Sequence, residues 1–325
     1  METENIRAER NRTLTVDAVE YPRFASKLVR VKDESELSLD AVLNNTLCGD
    51  MLPIVEKLPE KIADLIILDP PYNLSKNFNG FQFKETDTEN YRAYLRTWFP
   101  QIVRLLKDTG SLYLCGDWKC TAALQEVMEA HLVVMNRITW QREKGRGAQS
   151  NWKNAMEDIW FGVKDKNSYH FDVEAVKMKR KVIAPYKIDG KPKDWEETED
   201  GNFRITFPSN FWDDISVPYW SMPENTDHPT QKPEKLIAKL ILASSKKGDV
   251  VLDPFLGSGT TSVVAKKLGR NYIGIELNEE YGVWAEKRLE LAEKETGIQG
   301  FADGVFWERN SLKFKLKKVR NFYEK

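Results

Sequence analysis

The sequence has 325 residues, 49 Lys/Arg against 50 Asp/Glu for a formal net charge of −1, 30% charged residues and 11% aromatic ones. That length fits one large domain or two modest ones with a full core, the near balance of charge excludes a histone-like global attraction to nucleic acid, and no apolar run reaches a membrane-spanning length. Cys48, Cys115 and Cys120 are too few and too scattered for a disulfide framework or a zinc site, so no metal is expected, and the polar opening Met1 to Asn5 lacks a secretory signal, which points to the cytoplasm.

Residues 1–42 read as an N-terminal extension with one short helix, because charged and apolar residues alternate there without a clean period. Asn45 to Asp50 is a short strand ending in a turn, and a helix to Lys57 follows. Ala63 to Leu68 has the length and branched-aliphatic content of a strand buried on both faces. It runs into Asp69-Pro70-Pro71-Tyr72, where two prolines forbid either regular structure from continuing. The turn presents a carboxylate, a rigid backbone and an aromatic ring at the carboxyl end of a strand, the edge where open parallel sheets bind ligands. An ordinary strand exit with a hydrophilic cap is the alternative reading.

Asn73 to Asn90, with Phe78, Phe81 and Phe83, suits a mobile flap more than a packed element. Tyr91, Tyr94, Leu95, Trp98, Ile102, Leu105 and Leu106 then recur at helical spacing within Glu89 to Lys107, with Pro100 as a potential kink. Ser111 to Cys115 is another buried strand, Lys119 to Ala130 a helix, and Val133 to Trp140 and Asp158 to Val163 two more strands. This β-α alternation predicts an α/β fold built on a doubly wound, mostly parallel sheet.

Between Gln141 and Lys193 there are 13 Lys/Arg against 7 Asp/Glu, the local sign expected of a surface that faces phosphates. Arg142, Lys144, Arg146 and Lys153 lie in a glycine-loosened loop, for which a solvated hairpin tip is the alternative. Lys177, Lys179, Arg180 and Lys181 form a second basic run inside 167–226, where prolines, aromatics and charges mix without period. That stretch reads as an inserted, irregular recognition segment. Trp140, Trp152, Trp212 and Trp220 are expected to be core or loop anchors.

Alternation resumes with His228-Pro229-Thr230-Gln231-Lys232-Pro233 and a helix from Glu234 to Ser244. Val250 to Leu252 is a strand that leads into Asp253-Pro254-Phe255-Leu256-Gly257-Ser258-Gly259-Thr260-Thr261, a helix follows through Leu268, and a strand ends at Glu276. Gly257 and Gly259 stand between strand and helix, where backbone passes close to a ligand, but the Lys-Ser/Thr pair of a phosphate-gripping loop is missing. Glu276, 17 residues beyond Gly259, has the position that takes ribose hydroxyls in nucleoside-binding sheets, with a helix-capping carboxylate as the alternative. A helix runs from about Asn278 to Glu295, and Leu312 to Lys317 alternates as a lysine-blunted edge strand would.

Asp253-Pro254-Phe255-x-Gly257-x-Gly259 resembles the S-adenosylmethionine motif of amino-group DNA methyltransferases, and Asp69-Pro70-Pro71-Tyr72 resembles their catalytic motif. Here the catalytic motif comes first, the permuted order of the family's β group, and His228 to Pro233 is similar to the segment that opens the cofactor half there. The resemblance covers about residues 43–295. It implies a catalytic half at 43–166, a target-recognition segment at 167–226, a cofactor-binding half at 227–296 and a basic extension at 297–325.

Carried over, Asp69 to Tyr72 would be catalytic. Asp253, Phe255, Gly257, Gly259 and Thr260 would line the S-adenosylmethionine site, with Glu276 on its ribose and Asp50 at its adenine. Thr230 and Lys232 would hold the methionine carboxylate, and His228 could simply hydrogen-bond its own turn. The basic residues of the loop and of the 177–181 run would contact the backbone of double-stranded DNA. The expectation is an adenine-N6 DNA methyltransferase that flips its target base, with a cytosine-N4 enzyme as the near alternative and a non-catalytic DNA-binding module as the distant one. A cognate restriction endonuclease and a homodimer are the further partners that the resemblance suggests.

Overall fold

A computed structural model describes residues 8–31, 36–78, 80–142, 151–183, 186–199 and 201–309. Eight strands make one sheet: β1 (Asn45–Cys48), β2 (Ala63–Leu68), β3 (Leu106–Gly116), β4 (Val133–Gln141), β5 (Met156–Val163), β6 (Phe211–Trp212), β7 (Val250–Asp253) and β8 (Asn271–Glu276). Their spatial order is β1-β8-β7-β2-β3-β5-β4-β6. Neighbours are parallel except where β5 pairs with β3 and β4.

Helices α1 (Met51–Lys57), α2 (Thr88–Leu105), α3 (Thr121–Glu129), α4 (Glu234–Ser244), α5 (Thr260–Lys267) and α6 (Glu279–Leu291) complete the fold. Pro100 lies inside α2, which is unbroken across it.

The apolar runs are continuous because helices cover both faces of the sheet, while side chains still alternate between them. Ile66 and Leu68 of β2 pack with Ile54, Leu95, Ile102 and Leu124, whereas Leu65 and Ile67 pack with Leu236, Ile237, Val263 and Val264. Ile66 is fully buried, which contributes roughly 1.5–3 kcal/mol. A smaller cluster ties the N-terminal extension down, as Phe24 and Leu28 pack on Val283 of α6. No helix among the described residues is long and apolar enough to cross a membrane.

Two stretches are more ordered than their sequence suggests. The expected flap contains a hairpin, Lys76–Phe78 paired with Phe81–Phe83, and Phe83 packs edge-on against Tyr91 and Tyr94. The expected irregular segment contains strands Met178–Lys181, Glu196–Thr198 and Gly201–Thr206, joined by Phe301–Ala302 and Val305–Trp307 in a five-stranded sheet. Met178 and Phe203 are buried on opposite faces of this sheet, and the Lys179 ammonium lies over the rings of Phe203 and Trp307, so charged residues mask the strand period. The terminal extension therefore builds part of this five-stranded sheet, through 301–307; the edge strand expected at Leu312 to Lys317 lies outside the described residues.

Candidate active site

Asp69 leaves β2 at the carboxyl edge of the sheet, and Asp253 ends the adjacent β7. Asp69 and Asp253 line one cavity together with Thr230, Lys232, Phe255, Gly257 and Thr260, so the proline turn and the glycine turn meet there. It measures about 30 Å³, room for about one water molecule. A larger cavity of about 250 Å³, lined by Tyr113, Phe161 and Trp212, includes none of these residues.

The proline turn is pinned from two sides. The Tyr91 hydroxyl on α2 donates to the Pro71 carbonyl at 3.1 Å, and the Tyr72 hydroxyl donates to Asp69 Oδ1 at 2.8 Å. Lys232 Nζ donates to Asp69 Oδ2 at 2.6 Å and stands 3.2 Å from the Tyr72 hydroxyl. Burial in the cleft, and then the Asp69 charge, push the Tyr72 phenol well above its ordinary value. It is therefore a hydrogen-bond donor at neutral pH.

A second carboxylate stands beside the first. Glu157, only 3% exposed, opens β5 and has Oε2 at 3.3 Å from the Tyr72 hydroxyl and 3.4 Å from Lys232 Nζ. Its Oε1 is ion-paired with Arg142. Because β5 runs antiparallel, its first residues reach the same edge as the carboxyl ends of the parallel strands.

On the cofactor side, Gly257 and Gly259 have φ of +56° and +86°. A Cβ on Gly259 would come within 2.5 Å of Ala285 Cβ, so α5 and α6 can approach only at a glycine. Glu276 accepts the Gly257 amide at 2.7 Å and the Asn278 amide at 2.8 Å, and burial pushes its carboxyl up to about 7. Asp253 accepts the Phe255 amide at 2.9 Å and is likewise raised by burial to about 7. Arg288 of α6 braces the loop by donating to the Ser258 carbonyl and to Thr260 Oγ1.

The other residues singled out in the sequence find partners within the protein. Lys232 is ion-paired with Asp69, because its buried ammonium needs an anion and the proline turn supplies one. Arg142 is paired with Glu157 in the cleft. His228 does serve its own turn, accepting the Thr230 amide at Nδ1, and burial lowers it to about 4. Asp50 caps α1 by accepting the Leu52 amide and is exposed, one residue beyond Gly49, whose amide meets the Glu276 carbonyl.

Among the other basic residues, Lys177 pairs with Glu174, Lys179 and Arg180 are half-buried, and Lys153 and Lys181 are exposed. Lys144 and Arg146 lie outside the described residues. Trp140 and Trp212 are buried anchors, but Trp152 and Trp220 are exposed. Glu157 and Arg288 were not anticipated. Glu157 sits as an acid at the head of the apolar run Ile159 to Val163, a signal that becomes readable only once the strand direction is known.

Residues 63–287 match the model of the DNA methylase family that covers N6 and N4 enzymes. The chain is 33% identical over 246 residues to the type II methyltransferase M.HpaI of Haemophilus parainfluenzae, covering 75% of this chain and 73% of that protein. It is 35% identical over 245 residues to the DNA adenine methyltransferase YhdJ of Escherichia coli K12, covering 75% and 82%. The solved complex of M1.HpyAVI with SAM matches at a TM-score of 0.50 and 26% identity, over 75% of this chain and 98% of that one.

Proposed function

This chain belongs to the DNA methylase family, and from that premise we propose that it methylates the exocyclic N6 amino group of adenine in duplex DNA, with S-adenosylmethionine as the donor. The observation that carries the reading is the shared cavity, in which a proline-stiffened carboxylate and a glycine turn with a ribose-type acid face each other.

The residues present fit the donor. Asp253, Phe255 and Gly257 line one wall of the cavity, and Glu276, which accepts the Gly257 amide, offers its carboxylate directly behind that turn. In our reading Glu276 holds the ribose, Thr230 and Thr260 the methionine end, and Asp50 the adenine side. When bound, the donor supplies a methyl group on a sulfonium, already a good leaving group.

The protein's task is the acceptor. An adenine amino group is a poor nucleophile because its lone pair is delocalised into the ring. Asp69 and the Pro70 carbonyl would accept its two N–H groups, which favours a pyramidal nitrogen and stabilises the positive charge growing on it. The nitrogen gains the carbon and gives up one proton, with Asp69 as first acceptor. Tyr72 would stack on a base rotated out of the duplex, which offsets an unstacking cost of a few kcal/mol.

We extend the proposal to the surroundings. The basic run Lys177, Lys179, Arg180 and Lys181 would face DNA phosphates, and exposed Lys153 would do the same. The type II methyltransferase name of M.HpaI supports a modification role, and our reading adds a cognate restriction endonuclease and a cytoplasmic location. A homodimer is the remaining element, and sedimentation of the purified protein tests it. The catalytic reading is tested with labelled S-adenosylmethionine and mixed-sequence duplex DNA digested to nucleosides. Label in N6-methyladenine is expected; label in N4-methylcytosine would move the substrate, and unlabelled DNA would refute both.

A further inference from the structure

Both oxygens of Asp69 already hold a close donor. Oδ1 accepts from Tyr72 and Oδ2 from Lys232, and the cavity beside them has room for about one water. Each oxygen keeps a second lone pair, but in so small a space an amino group that takes a short bond to Asp69 displaces one of these donors. An ammonium that leaves needs another anion, since an unpartnered buried charge is strongly unfavourable.

We propose that Glu157 is that second seat: a positioning residue that receives the Lys232 ammonium, and shares the Tyr72 hydroxyl, when a substrate amino group takes their place on Asp69. The inference rests on the methyl-transfer reading above and assigns a role to a residue that the reading does not use.

Three observations carry it. Lys232 Nζ and the Tyr72 hydroxyl each lie between the two carboxylates, close to Asp69 and at the outer limit of hydrogen bonding from Glu157. Both approach the same oxygen, Oε2, so a movement of about half an ångström brings either to a full charge-assisted bond. The other oxygen is tied to Arg142, which fixes the seat in place while Oε2 remains directed at the turn. A lysine left on Asp69 would also weaken that carboxylate as an acceptor for the developing charge on the amino nitrogen. Its transfer therefore clears the site and restores the acceptor in one movement.

The test compares wild type, Glu157→Gln and the double variant Glu157→Gln/Lys232→Met at saturating DNA. It measures the single-turnover methylation rate together with the dissociation constant of S-adenosylmethionine. Wild type must transfer methyl; if it does not, the functional reading fails and not this inference. Glu157→Gln is expected to lower the rate about tenfold or more, with cofactor affinity changed by no more than about twofold. Removing the ammonium in that background is expected to restore at least about fivefold of the rate. A structural role alone would make the second substitution in the same buried cluster a further loss. An unchanged rate in Glu157→Gln, a further loss in the double variant, or cofactor binding weaker in the double variant than in Glu157→Gln would overturn the proposal.

Should Glu157→Gln not fold, a crystal structure of wild type on duplex DNA carrying its methylated site decides the matter. Lys232 Nζ on Glu157 supports the inference, and Nζ still on Asp69 or on the cofactor overturns it.

Discussion

At the scale of single residues, the site is a set of buried charges whose partners decide their states. Glu276 shows the sign most plainly. Burial raises its carboxyl to about 7, so in the free protein its contribution to stability is complete at acid pH and is lost as pH rises through about 7. Ribose hydroxyls donate to the ionised form and favour it. Cofactor affinity should therefore increase between about pH 6 and about pH 8, and Glu276→Gln should bind more weakly with a flatter profile. Titration calorimetry at several pH values checks this, and a wild-type affinity that fell with pH would contradict it.

Among elements, the glycine turn sets how closely α5 can approach α6. Gly259→Ala places a methyl within 2.5 Å of Ala285 Cβ at a φ of +86°, so it should lose more than the roughly 1–2 kcal/mol of left-handed backbone alone. Gly304→Ala is the control, at φ +74° with nothing within 4 Å, and should lose only the backbone part. Urea unfolding of both variants measures the difference. The strand before Asp69 and the turns at Asp69 and Gly257 could be read from sequence because an unbroken branched-aliphatic run and paired prolines or glycines have few structural solutions. The strand Met178–Lys181 could not, since of its four residues only Met178 is buried and aromatic rings pack under Lys179. Glu157 also escaped, because its place at the active edge depends on β5 running against its neighbours, and strand direction leaves no mark in residue type.

On the scale of the whole molecule, the proline turn and the glycine turn are distant in sequence but follow adjacent strands, β2 and β7, and the five-stranded sheet takes two of its strands from residues 301–307. Phe306 is fully buried, and Lys235 ties Trp307 to α4 and to Asp214. Removing residues 301–325 should therefore lower the unfolding midpoint and weaken DNA binding about tenfold or more, while cofactor affinity stays within about twofold. Gel-shift and calorimetric titrations separate the two effects. The joining of the halves is tested most directly by Asp69→Ala, assayed beside wild type for cofactor affinity and for label transferred to DNA. Cofactor binding close to wild type with methyl transfer reduced about a hundredfold or more is the predicted result; transfer at the wild-type rate would contradict the assignment of the proline turn as the acceptor site.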